Sequence, residues 1–121
     1  MNINYIENNG RRVAVLEEPG WVLESVQDAL DLMTDVRILG DSDSLILLRE
    51  NLPEEFYELK TGLAGEILQK YTNYGFRLAI VGNFSDVTSK SLNDFIRESN
   101  RGSQVFFLPT VEEATEKLLR L

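Results

Sequence analysis

Three short, predominantly apolar segments constrain the fold of this chain more than any other feature of its sequence. They are Leu45-Ile46-Leu47-Leu48 and the segments 76–81, in which Arg77 is the one charged residue, and 105–108. Near-continuous apolar runs of this length are typical of parallel strands that are covered on both faces. Each run is followed by a segment with apolar residues at helical spacing. We therefore expect an α/β domain in which right-handed helical crossovers connect parallel strands.

The N-terminal residues add an antiparallel hairpin to this arrangement. Segments 2–7 and 11–16 have strand-forming composition, and Asn9-Gly10 between them favours a type I′ turn. The predicted order is β-β-α-β-α-β-α-β-α, which gives a mixed sheet in a single domain spanning residues 1–121.

Capping residues and glycines predict where the helices begin and end. Ser25 and Asp28 resemble a capping box, so the first helix is expected to begin there and to run to about Thr34. Pro53 is expected to be the first residue of a short helix, and Gly75 is expected to end the helix that follows.

The last two helices are predicted in the same way. Ser91 with Asp94 is expected to cap one helix, which Gly102 ends. Pro109-Thr110 is expected to open the final helix.

The composition excludes several classes of function. The sequence has no histidine and no cysteine, which excludes serine–histidine triads, cysteine proteases and zinc hydrolases. The first residues lack a signal-peptide pattern and no apolar run could span a bilayer, so the expected location is the cytoplasm, away from membranes. Neither a cofactor nor a metal is expected; the Asp41-Ser42-Asp43 turn lacks the remaining elements of a calcium loop.

The formal net charge of −8 is concentrated in one half of the chain. Twelve acidic residues lie from Glu17 to Glu58, where the only basic residues are Arg37 and Arg49. An acidic surface repels phosphate backbones, so a nucleic acid is not an expected partner. The alternative is that these acids only keep the surface solvated.

Thr61, which precedes Gly62 near a predicted helix start, is the strongest candidate in the chain for a modified or anion-binding residue. Backbone N–H groups and the helix dipole favour an anion at such a position. A phosphate on Thr61 would add charge beside an acidic turn and alter the binding of a partner. The alternative is that Thr61 is an ordinary N-cap. The predicted interaction face consists of the residues around it: Glu54, Glu55, Glu58, Lys60 and Gly62.

Two resemblances accompany this interpretation. The element order and the segment 59–64, Leu-Lys-Thr-Gly-Leu-Ala, resemble the STAS domains of bacterial anti-sigma-factor antagonists, whose motif reads Asp-Ser-Ser-Gly-Leu-Gly. That resemblance implies that Thr61 is the phosphoacceptor of a partner kinase, although Leu59 and Lys60 depart from the motif. Segments 50–53, 59–66, 79–82 and 99–102 are similar to a bacterial domain-of-unknown-function family, number four-one-eight-zero, which implies a fold and no activity.

The first hypothesis is thus a non-enzymatic regulatory module that binds a protein partner, for which a basic surface would be complementary. The rival hypothesis is a small-molecule or nucleotide binder, or an enzyme, that uses a rim at the strand ends. Its residues would be Asn83, Ser89, Lys90 and Arg101, with Thr61 and Lys60 near them. An accessory protein with purely structural contacts is a third alternative, and the sequence leaves the oligomeric state open.

Overall fold

A five-stranded sheet forms the centre of the computed structural model, which describes residues 2–121. The sheet contains β1 (Ile3–Asn8), β2 (Arg11–Leu16), β3 (Ser44–Leu48), β4 (Arg77–Val81) and β5 (Val105–Leu108). The strands lie in the sheet in their order along the chain. β1 and β2 are antiparallel, and the remaining neighbours are parallel. The predicted α/β class and mixed sheet are therefore confirmed.

Helices cover both faces of this sheet. The helices are α1 (Val26–Gly40), α2 (Glu54–Tyr57), α3 (Leu63–Asn73), α4 (Lys90–Arg101) and α5 (Val111–Leu119). Two 3₁₀ turns, Arg49–Asn51 and Leu59–Thr61, flank α2. Side chains of α1 to α4 pack on one face of the sheet, and α5 packs alone on the other.

The central strands are buried on both faces, as their largely apolar sequences predict. Leu45 and Leu47 of β3 face the larger core, whereas Ile46 between them faces α5. All three side chains are fully buried. Alternate side chains of a strand point to opposite faces, so only a strand covered twice needs apolar residues at every position.

The N-terminal hairpin turns where the sequence predicts. Asn9 and Gly10 both have positive φ, 53° and 79°, as a type I′ turn requires. Asn8 pairs directly with Arg11 across this two-residue turn.

The first helix is longer than predicted, because α1 continues past Thr34 to Gly40. Its start is correct: the Ser25 side chain accepts a hydrogen bond from the Asp28 N–H. The apolar pattern becomes misleading near the end, where Ile38 and Leu39 are 73% and 80% exposed. The helix ends when Asp41 adopts a left-handed conformation and its N–H bonds the Arg37 carbonyl.

Ser89, rather than Ser91, caps α4. The Ser89 side chain accepts a hydrogen bond from the Leu92 N–H at 3.2 Å, and Ser91 lies within the first turn. The prediction for Ser91 was therefore wrong, whereas the helix ends before Gly102 as expected. Thr110 caps α5 as predicted by accepting from the Glu113 N–H.

Pro53 lies one residue earlier than predicted relative to its helix, at the N-cap of α2. Gly75 has a φ of 65° and follows the end of α3, as expected. None of the helices among residues 2–121 is both long and apolar enough to span a bilayer.

Candidate functional site

The carboxyl ends of the parallel strands carry the loops in which most of the candidate residues lie. The connection from β3 to α3 is the longest of them, and it contains both 3₁₀ turns and α2. In open α/β sheets, ligands and partners usually bind at this edge. The conformation of the β3–α3 connection therefore decides what the candidate site can do.

Asn51 holds this connection to the preceding loop. Its Oδ1 accepts the Leu48 N–H at 2.8 Å, and its Nδ2 donates to the carbonyls of Glu18 and Gly20 at 2.7 and 2.8 Å. The Asn51 carbonyl also accepts the N–H groups of Val22 and Leu23. Asn51 is fully buried, so its polar groups are satisfied internally.

Arg49 connects the same strand end to the loop after β4. Its Nη1 donates to the Asn83 carbonyl at 2.6 Å and to Asp86 Oδ1 at 2.9 Å. Its guanidinium carbon lies 5.6 Å from the ring centre of Tyr57 and 5.0 Å from that of Phe84. A planar cation packed between two rings and a carboxylate has few accessible rotamers, so Arg49 fixes the relative positions of these loops.

Two pKa values reflect this arrangement. The hydrogen bond from Arg49 holds the pKa of Asp86 below its ordinary value. Burial raises the pKa of Tyr57 above its ordinary value, and its hydroxyl donates to the Arg49 carbonyl at 2.8 Å. At neutral pH, Asp86 is therefore an anion and Tyr57 a neutral donor.

Thr61 lies at the end of the second 3₁₀ turn and is exposed. Its Oγ1 lies 2.7 Å from the Glu55 carbonyl oxygen and 2.9 Å from the Glu58 carbonyl oxygen. These two acceptors share the single proton of the hydroxyl. The same oxygen accepts the Leu63 N–H at 3.3 Å. One exposed hydroxyl thus joins α2, the 3₁₀ turn and the first residue of α3.

Gly62, rather than Thr61, is the N-cap of α3. Its φ of 83° is a left-handed conformation that glycine adopts without strain. The interpretation of Thr61 as an N-cap was therefore wrong, because Thr61 precedes the cap and bonds the turn before it.

The other residues of the predicted interaction face surround Thr61 in the sequence. Glu54, Glu55, Glu58 and Lys60 are exposed, and Gly62 is half-buried. None of the three glutamates forms an ion pair within residues 2–121. The segment 54–62 therefore presents a surface with excess negative charge, built on an ordered turn.

The structure brings part of the alternative rim to the same place. A groove of about 370 Å³ separates the second 3₁₀ turn from the start of α4, and its lining includes Tyr57, Lys60 and Ser89. The volume falls at the lower end of the range for small-molecule sites.

The remaining rim residues are already engaged in contacts or lie elsewhere. Lys90 Nζ lies 2.7 Å from Asp94 Oδ2, and this contact lowers the pKa of Asp94. The Asn83 side chain accepts the Ser85 N–H. Arg101 lies at the other end of α4, about 16 Å along the helix axis from Lys90, and does not join the rim.

The groups that organise this edge, Arg49 and Asn51, were not among the sequence-predicted site residues. Apart from the Leu48 N–H, the hydrogen-bond partners of these two side chains lie 31 to 37 residues away in the chain, so no local pattern indicates these contacts. The one available signal was the polar run Arg49-Glu50-Asn51 directly after a buried strand. In residues 2–121 no group of three or more acidic side chains is arranged to hold a metal ion.

Comparison with known proteins gives a family and no activity. A family model described as "Domain of unknown function (DUF4180)" matches residues 8–118. Neither the curated proteins nor the solved structures contain a significant match to the chain.

Proposed function

We propose that this chain, which belongs to the family described as "Domain of unknown function (DUF4180)", is a regulatory module that binds a protein partner. Its contact face is the segment 54–62, and Thr61 is the residue whose modification alters binding. The observation that carries the proposal is the position of the Thr61 hydroxyl, which is exposed and also holds the segment in shape.

Phosphorylation of Thr61 would change this segment in two ways. A kinase would transfer a phosphoryl group from ATP to Oγ1, which loses its proton as ADP leaves. The ester has no hydrogen to donate, so the Glu55 and Glu58 carbonyls, now 2.7 and 2.9 Å away, would face an oxygen without a proton. The phosphate also adds about −1.5 to −2 charges beside three exposed glutamates. Both effects favour a rearranged segment.

The charge of the segment favours a basic partner. Glu54, Glu55 and Glu58 project from a turn that is anchored through Phe56, which is buried in the larger core. Complementary charge increases the association rate and excludes acidic competitors. The resemblance of the element order to STAS domains, which antagonise partner proteins, supports the same kind of function.

A quantitative pull-down with the full chain as bait tests the contact face. The variant Glu54→Gln/Glu55→Gln/Glu58→Gln removes three charges from the segment. The matched control, Glu112→Gln/Glu113→Gln/Glu116→Gln, removes the same charge from α5 on the other face of the sheet. We expect proteins captured by the native chain and the control to be lost from the first variant. Equal capture by both variants would exclude this face.

The proposed effect of Thr61 phosphorylation on partner binding, the switch, is tested with separate variants. Thr61→Glu adds charge and removes the hydroxyl, whereas Thr61→Val removes the hydroxyl alone. Thr72→Glu is the control, because Thr72 is an exposed threonine at the other end of α3. We expect captured partners to be lost with Thr61→Glu, retained with Thr72→Glu and reduced with Thr61→Val. Partner capture that is identical for all three would refute the switch and leave the contact face untouched.

The groove beside Lys60 and Ser89 supports a second candidate, the binding of a small phosphorylated ligand. Thermal-shift screening of nucleotides tests it with the native chain and Lys60→Gln. A ligand at 100 times its dissociation constant stabilises a protein by about 2.7 kcal/mol. A shift that disappears in Lys60→Gln would support this candidate, and a flat screen would exclude it.

A further inference from the structure

A second polar cleft lies at the opposite edge of the sheet, where β2, β3 and β4 begin. It has a volume of about 460 Å³, and its lining includes three arginines, two aspartates and a serine: Arg11, Arg12, Arg77, Asp41, Asp43 and Ser44. Asp43 is paired with Arg37. Three arginines in one cleft are unexpected in a chain whose net charge is −8.

Two of these arginines lie on the same face of the sheet. Arg11 shares the α5 face with Val13, two residues further along β2, and Arg77 shares it with Ala79. Ser44 pairs directly with Arg77 and lies on the strand between them. The β2–β3 register places Arg11 level with residue 42, two residues before Ser44, so Arg11 and Arg77 flank the short Ser44 side chain diagonally and both line the cleft.

The bonding of Arg11 and Arg77 differs from that of the other arginines. Six arginines form ion pairs with carboxylates: Arg12, Arg37, Arg49, Arg97, Arg101 and Arg120. Within residues 2–121, Arg11 and Arg77 contact only backbone oxygens. Arg11 Nη1 lies 3.4 Å from the Leu118 carbonyl, and Arg77 Nε lies 2.9 Å from the Ser103 carbonyl. Each guanidinium has five N–H groups, so most of these donors have no protein acceptor.

We propose that Arg11 and Arg77 bind one oxyanion, a phosphate or a carboxylate, of a small polar metabolite. Guanidinium groups suit such anions because their paired N–H groups match two oxygens at once. Asp41 lines the same cleft, is exposed and forms no ion pair with the described residues. Its carboxylate accepts a hydrogen bond from a hydroxyl or ammonium group of the same ligand. The preferred ligand is therefore an anion that also carries a hydrogen-bond donor.

Calorimetric titration at constant ionic strength tests the arginines, with inorganic phosphate, glycerol 3-phosphate and succinate as probes. The variant Arg11→Gln/Arg77→Gln is compared with Arg97→Gln/Arg120→Gln, which removes the same charge from two ion-paired surface arginines. We expect the native chain and the control to bind a probe with a dissociation constant of about 1 mM or tighter, and the first variant to bind at least about tenfold more weakly. The relative affinities distinguish a phosphate from a carboxylate site.

Asp41→Asn gives an independent test that does not require the arginine variant to fold. Asparagine tolerates the left-handed conformation of residue 41, whose φ is 50°. Removing this carboxylate should tighten binding of inorganic phosphate and reduce the advantage of glycerol 3-phosphate over it. The control Asp35→Asn, an exposed residue of α1, should change neither. Failure of the native chain to bind all three probes, or equal effects of each variant and its control, would overturn the proposal. Neither result bears on the Thr61 segment at the other edge.

Discussion

Replacement of Asn51 by alanine should destabilise the protein and release the loop between β2 and α1. The change removes three side-chain hydrogen bonds, to the Leu48 N–H and to the carbonyls of Glu18 and Gly20. A typical hydrogen bond contributes about 0.5 to 1.5 kcal/mol net, so the three together are expected to contribute about 2 to 4 kcal/mol. Gly20 is exposed, so water can reach its carbonyl; the N–H of half-buried Leu48 is less easily hydrated.

The same change should be visible locally. Trp21 is the only tryptophan of the chain and follows Gly20 in the loop that Asn51 holds. It is 62% exposed, so its fluorescence reports on the loop more than on the core. Denaturant unfolding followed by circular dichroism gives the free energy of unfolding, and amide exchange at Val22 and Leu23 gives the local opening.

Asn100→Ala is the matched control. Asn100 also bonds the backbone through both side-chain atoms, accepting from the Phe107 N–H at 2.7 Å and donating to its carbonyl at 3.1 Å. It joins α4 to β5 and does not touch the Trp21 loop. We expect about 1 to 3 kcal/mol of destabilisation without faster exchange at Val22. A free energy of unfolding of Asn51→Ala within about 0.5 kcal/mol of the native value, or an equal change in loop exchange in both variants, would contradict the role of Asn51.

Three further results are expected. Gly40→Ala should lower the free energy of unfolding by about 1 to 3 kcal/mol, because its new Cβ would overlap the Tyr5 ring. Adding Tyr5→Ala should relieve much of this strain. Tyr71→Phe should lower the free energy of unfolding by about 0.5 to 1.5 kcal/mol, because its buried hydroxyl donates to a carbonyl of α1 at 2.8 Å. Asp86→Asn should weaken the loss of stability on acidification. The hydrogen bond from Arg49 lowers the pKa of Asp86, so the carboxylate stabilises the fold above its unfolded pKa, and this contribution disappears as pH falls through the folded value. Identical pH profiles for the native chain and the variant would contradict this assignment.

The strands were predictable because a strand that is buried on both faces requires apolar residues at consecutive positions, as in β3. The end of α1 was not predictable from the sequence. Ile38 and Leu39 are apolar but exposed, so apolar residues no longer mark the buried face of the helix there. The cap of α4 was misassigned because Ser89 and Ser91 both precede apolar helical positions. Only the hydrogen bond to the Leu92 N–H distinguishes them.

The candidate site was predictable only in part, for a different reason. The exposure of the glutamates in segment 54–62 follows from their charge. The sequence left open whether Thr61-Gly62 interrupts the helix, and in the structure Gly62 begins a new helix with a φ of 83°. The bonds of Thr61 depend on how the chain turns before it. The contact between Arg49 and Asp86 spans 37 residues and depends on the adjacency of β3 and β4 in the sheet.

The order of the strands has a consequence for how the chain acquires its structure. Each strand lies beside the strand that precedes it in the chain, and no strand is inserted between two earlier ones. Every strand after the first therefore pairs with the strand that was synthesised immediately before it. Pairing of this kind keeps sequence separations moderate, which favours rapid folding for a domain with a parallel sheet. The order also leaves β5, which emerges last, as the final edge to be completed.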